Sequence, residues 1–108
     1  MYNSIMSCLQ LKVLPKDFVA IIPNGTAIQN ARTSYVGDEL TRDGYHLSVA
    51  EGRVIAGIAM VAATIGMDYD NIDLTGINKD EKFLQVALES VKNAMENPYE
   101  VTQSQYTK

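Results

Sequence analysis

Tryptophan is absent, and cysteine and histidine each occur once in 108 residues. The single cysteine, Cys8, rules out an internal disulfide and a cysteine-based zinc site within one chain. With apolar residues around it and no charged helper near it in sequence, Cys8 reads as a small buried hydrophobe rather than a nucleophile. There is no basic cluster. The net charge of −4 and a sequence pI near 4.8 argue against nucleic acid and against an anionic membrane surface as partners. No segment reaches the roughly 20 apolar residues of a membrane span. Met1-Tyr2-Asn3-Ser4-Ile5-Met6 also lacks the charged lead and apolar core of a signal peptide. By this chain alone the expected compartment is the cytoplasm.

What is present is the balance of a globular chain, 46% apolar and 20% charged, enough for one domain or a piece of one. Tyr2, Ile5, Met6, Leu9 and Val13 stand at helical spacing and are stopped by Pro15. Phe18-Val19-Ala20-Ile21-Ile22 is apolar without alternation, the pattern of a parallel strand buried on both faces. Such a strand needs neighbours, and no second run of this kind follows. Pro23-Asn24-Gly25 signals a turn, and a short helix over 26–32 follows, with Thr26 near its cap. Thr33 to His46 is polar and glycine-bearing, a loop long enough to suggest function.

Ser48-Val49-Ala50-Glu51 has the form of a capping box, with serine at N-cap and glutamate at N3. The helix it opens, 49–65, has almost no polar face and closes at Gly66, which predicts burial nearly all round. Gly57 inside it predicts close packing against another element. The chain is too short to enclose such a helix. A missing N-terminal segment or a second copy packed on helix 49–65 is therefore expected. Asn78-Lys79-Asp80-Glu81 predicts another cap, with Asn78 at N-cap. Phe83, Leu84, Ala87, Leu88, Val91, Ala94 and Met95 then form a one-sided helix that ends at Asn97-Pro98. The polar tail 99–108 is expected to be flexible.

The one histidine, His46, stands three residues after Asp43, with Gly44 between them to permit a tight turn. A carboxylate on one ring nitrogen fixes the tautomer and leaves the other nitrogen to take a proton. A loop histidine bonded to a neighbour has the same spacing, so the pair alone does not decide. Arg32, Arg42 and Arg53 bracket the loop and could meet an anionic or hydroxylated substrate, although surface ion pairing explains them more simply. Asp68, Asp70, Asn71 and Asp73 lack the glycine and the distal glutamate of an EF-hand loop and read as a solvated turn. Gly52, Gly57 and Gly66 are spread through one helix and form no phosphate cradle. No serine stands in a Gly-x-Ser-x-Gly elbow. No metal or cofactor is expected.

Three runs together resemble a known family. They are Ile22-Pro23-Asn24-Gly25-Thr26-Ala27-Ile28-Gln29-Asn30-Ala31-Arg32, then Leu40-Thr41-Arg42-Asp43-Gly44-Tyr45-His46-Leu47-Ser48 with its glycine-bearing helix, then Lys92-Asn93-Ala94-Met95-Glu96-Asn97-Pro98-Tyr99. Over about residues 2–104 the chain resembles the C-terminal part of a bacterial family of SGNH-hydrolase-like (GDSL-like) proteins of unknown function. The resemblance implies an α/β fold, the C-terminal third of a three-layer α/β/α flavodoxin-like domain, with residues 1–108 as one partial domain. It implies that Asp43-Gly44-Tyr45-His46 is the superfamily's Asp-x-x-His block, with His46 as general base and Asp43 as its orienter. Ser48 would hold the loop in place. The implied substrates are small-molecule esters, such as O-acetyl groups on carbohydrates or acyl chains on lipids. The Gly-Asp-Ser block with the nucleophile, and the oxyanion-hole glycine and asparagine, have no counterpart here, and Gly25 and Asn24 fall on the wrong segment for those roles. The expectation is a chain inactive by itself. A full-length relative could be secreted or periplasmic. The other expectation is a non-catalytic helical module that oligomerises through helix 49–65.

Overall fold

Helix α1 spans Asn24–Arg32, so it absorbs the Asn24-Gly25 turn instead of following it. The computed structural model describes residues 22–44, 46–77 and 79–107. The expected helix over 2–14, Cys8, and the strand over 18–22 apart from Ile22 lie outside the described residues. Pro23 is the N-cap of α1, and its carbonyl accepts from the Ala27 N–H at 3.0 Å. Thr26, expected near the cap, instead donates its hydroxyl to the Pro98 carbonyl at 2.8 Å. Ala27, Ile28 and Ala31 form the buried face. A 3-10 turn over Gly37–Leu40 follows and carries Leu40 into the core with no exposed surface.

Helix α2 spans Gly52–Thr64 and helix α3 spans Glu81–Glu96. The three helices pack against one another in every pairing. The buried stripe of α2 is Gly52, Ile55, Ile58, Ala59 and Ala62. That of α3 is Phe83, Val86, Ala87, Val91 and Ala94 with their neighbours. These positions recur at three and four residues, so each helix turns one apolar stripe to a common centre. The N-cap of α3 is Asp80, whose carboxylate accepts from the Phe83 N–H at 2.7 Å. The helix thus starts two residues later than the Asn78 cap predicts, and Glu81 is its first residue instead of N3. Its end at Asn97, before Pro98, is as expected.

The expectation for helix 49–65 needs two corrections. The helix begins at Gly52 because Val49 to Glu51 form a turn. It is also not buried all round: Gly57, Met60, Val61 and Thr64 are exposed, as is Ile65 beyond its end. Among the described residues nothing would meet a Cβ at Gly57 within 4 Å, so no close packing occurs there. Gly66, with φ +86°, follows the C-cap Ile65 as predicted.

The segment 99–107 lies along α1 and α3. Asn30, almost wholly buried, donates from Nδ2 to the Ser90 carbonyl (3.1 Å) and accepts the Thr102 N–H on Oδ1 (2.7 Å). The Ser104 N–H donates to Thr33 Oγ1 at 2.7 Å, and the Ser104 hydroxyl donates to Glu89 Oε2. Tyr35 N–H reaches the Tyr106 carbonyl at 2.8 Å. Polar residues at the end of a chain order when buried polar groups elsewhere need them as partners.

The described residues therefore form a helix-rich globule of three α-helices. Their one piece of β structure is an isolated antiparallel bridge between Thr41 and Leu47. No described helix is long and apolar enough to cross a membrane. Replacing Asn30 by Ala leaves the Thr102 N–H without its acceptor. The expected loss is roughly 1–3 kcal/mol in urea denaturation, together with faster amide exchange over 102–106. Unchanged exchange in the tail would contradict this account.

Candidate functional site

The Thr41–Leu47 bridge closes a small loop that presents Asp43 and His46. The Arg42 N–H donates to the His46 carbonyl at 3.0 Å, and the Ser48 N–H donates to the Leu40 carbonyl at 2.9 Å. Inside this frame Gly44 takes φ +96°, a conformation that side chains with a Cβ disfavour. The turn brings the Asp43 carboxylate back over His46. Asp43 Oδ1 accepts from the His46 backbone N–H at 2.7 Å, and Oδ2 lies 2.5 Å from His46 Nδ1. Asp43 thus grips the histidine at backbone and ring together. A proton on Nδ1 satisfies this contact and puts the ring's lone pair on Nε2. Both side chains are about half exposed, so reactants can reach them.

The loop is held to the core through Leu40 and α2. Gly52 sits so close to the Leu40 carbonyl oxygen that a Cβ would collide with it, and Leu47 crowds the same space. The Gly52 N–H donates to Ser48 Oγ at 2.9 Å, and the Ser48 hydroxyl turns to Glu51 Oε2 at 3.3 Å. Ser48 therefore anchors the start of α2, although the pattern it forms is a turn and not the predicted cap. Glu51 also receives Lys79 Nζ at 2.6 Å, with both side chains largely covered. The hydrogen bond from Lys79 holds the Glu51 carboxyl below the usual carboxylate range, against the opposing effect of burial. Lys79 in turn lies 5.5 Å from the centre of the Phe83 ring.

The three arginines do not converge. Arg32 is bound by Asp38 through Nε at 2.8 Å and Nη2 at 2.6 Å, and by Gln29 through Nη1 at 3.0 Å. Arg32 and Arg42 share a polar cleft of about 480 Å³ whose described wall also includes Gln29, Asp38, Thr41, Asp43 and Gly44. Arg53 belongs to a different, apolar groove on α2. The acidic turn behaves as read from sequence. Asp68 accepts from Asn71 Nδ2 at 2.8 Å and from the Asp70 N–H, and Asp73 accepts twice from Thr75. Those bonds hold both carboxyls below their ordinary values. Among the described residues no three acidic, histidine or cysteine side chains gather as a metal site would require.

A family model described as a domain of unknown function, DUF4886, matches residues 1–94. The chain belongs to the DUF4886 family. A solved structure of a DUF4886 protein from Bacteroides uniformis is 33% identical and superposes with a TM-score of 0.81 over 99% of this chain. The match takes up 40% of that relative's length. No curated protein matches. The described residues therefore have the fold of that relative, and the family description attaches no activity to it.

Sequence reasoning missed the Glu51–Lys79 pair and the Asn30 hub. Their partners stand 28, 60 and 72 residues apart, and no local pattern encodes such pairings. Two outcomes test the site's construction. Gly44→Ala forces a Cβ into the left-handed region. It is expected to cost about 1–2 kcal/mol and to shift the ¹⁵N signals of the His46 ring as the Asp43 grip loosens. For Glu51, the unfolded chain takes up a proton at a higher pH than the folded chain. The stabilisation is complete above the ordinary carboxylate range and is lost as pH falls through the lowered folded value. The gap in urea midpoint between wild type and Glu51→Gln should therefore narrow from about pH 6 to about pH 3. A gap that stays constant with pH would remove the Lys79 contact as its source.

Proposed function

We propose that this chain is the acid–base portion of an SGNH-type ester hydrolase, with His46 as general base and Asp43 as its orienter. The observation that carries the reading is the double grip of Asp43 on the backbone and ring of His46. It sets the tautomer that leaves Nε2 as the basic nitrogen. In the reaction, Nε2 takes the proton of an attacking serine hydroxyl, and the Asp43 carboxylate stabilises the imidazolium that results. The same nitrogen then returns the proton to the leaving alkoxide. The nucleophile and the oxyanion hole belong to chain beyond these 108 residues, as does the sheet of a three-layer α/β/α flavodoxin-like domain. More than half of the Bacteroides uniformis relative lies outside the match, which leaves room for both. The substrate class is a small-molecule ester, an O-acetylated carbohydrate among the candidates. The polar cleft beside Asp43 suits a hydroxylated substrate. Alone, the chain would lack most of the catalytic power, since the oxyanion hole and nucleophile supply it.

The second reading is a non-catalytic interaction module in which His46 is an ordinary loop residue. The exposed apolar side of α2 favours it. A chimera separates the two: the Bacteroides uniformis relative with its matching portion replaced by this chain. Hydrolysis of p-nitrophenyl acetate by the chimera should fall roughly 100- to 10,000-fold on His46→Ala. Equal rates for the two would take His46 out of catalysis.

A further inference from the structure

Helix α2 has two apolar sides, and the core uses one of them. On the other, Val61 is 43% exposed, Met60 53% and Ile65, just past the helix end, 83%. Beside this face runs an apolar groove of about 360 Å³, walled by Val54, Gly57 and Val61 of α2 and by Met67, Ile72 and Leu74 of the following segment. Gly57 leaves the groove open, since a Cβ there would meet nothing among the described residues within 4 Å. An apolar face of this continuity marks an interaction surface rather than ordinary solvent exposure.

We infer that this face and groove are the seat of the additional chain that the longer Bacteroides uniformis relative carries. The Bacteroides uniformis relative contains this fold nearly whole, at a TM-score of 0.81, yet uses 40% of its length to do so. The remainder is longer than the matched part, and α2 offers it an apolar surface with nothing charged along Gly57, Met60, Val61 and Ile65. The inference does not depend on the hydrolase reading. A docked remainder is equally required if His46 has no catalytic role.

Thiol labelling tests it without any need for catalysis. A cysteine replaces Val61 or Ile65 of this chain in a Cys8→Ser background. Another replaces the superposed residue of the Bacteroides uniformis protein, freed of its own cysteines and shown monomeric by light scattering. Maleimide should label this chain nearly as fast when folded as when unfolded in urea. In the folded relative the reaction should be roughly 100-fold or more slower than in its unfolded state, because labelling there requires local opening. Fast labelling of the folded relative at both positions would overturn the inference. If this chain itself were protected, the protection vanished on dilution or on Ile65→Asp, and the relative labelled fast, the face would be a contact between copies and the inference would equally fall.

Discussion

The buried amide of Asn30 is the contact on which the architecture turns. Its nitrogen reaches the Ser90 carbonyl on α3, and its oxygen holds the Thr102 N–H. One side chain therefore joins the first described helix, the last helix and the terminal segment. A buried amide left half satisfied is costly, whereas one with both ends bonded fixes a single arrangement. The hydrogen bonds around it, from Ser104 to Thr33 and Glu89 and from Tyr35 to Tyr106, extend the same seam. The helices could slide along an apolar interface of alanines, valines and isoleucines at small cost. They cannot slide past this polar seam without breaking several bonds at once.

The candidate site depends on the core in a different way. Its own geometry is local, closed between Leu40 and Ser48 by backbone bonds and by the left-handed turn at Gly44. Its placement is not. Leu40 is sunk in the core, and Gly52 brings α2 against the Leu40 carbonyl. The Glu51–Lys79 pair then ties the same corner to the segment before α3. The loop is thus built by short-range chemistry and aimed by long-range packing. This is the division expected of a site that must hold two side chains in register while leaving them open to solvent.

Much of the helical frame was legible in the sequence, because apolar residues at three- and four-residue spacing report a buried stripe directly. The end of α3 at Asn97-Pro98 and the left-handed Gly66 were legible for equally local reasons. Helix starts were less so. Ser48 with Glu51 makes a capping pattern, yet the helix begins only at Gly52, and α3 is capped by Asp80. The contacts of the tail were not legible, because Thr102 and Ser104 look like solvated residues until Asn30, Thr33 and Glu89 are brought to them from far away in sequence. At the site, the Asp43–His46 spacing was visible. The second bond of Asp43, to the His46 backbone, was not, because it exists only once Gly44 has turned the chain. The expectation that α2 is covered on every side came from composition, which states how much apolar surface there is but not whether the same chain supplies its cover.

The Asn30 seam also has a consequence in time. Thr26 meets Pro98 and Asn30 meets Thr102 across 72 residues of chain. Closing so long a loop carries an entropic cost that local helices do not. Until residue 102 is brought back to α1, the side-chain oxygen of Asn30 has to stay hydrated, so this seam closes late relative to the local turns of the helices.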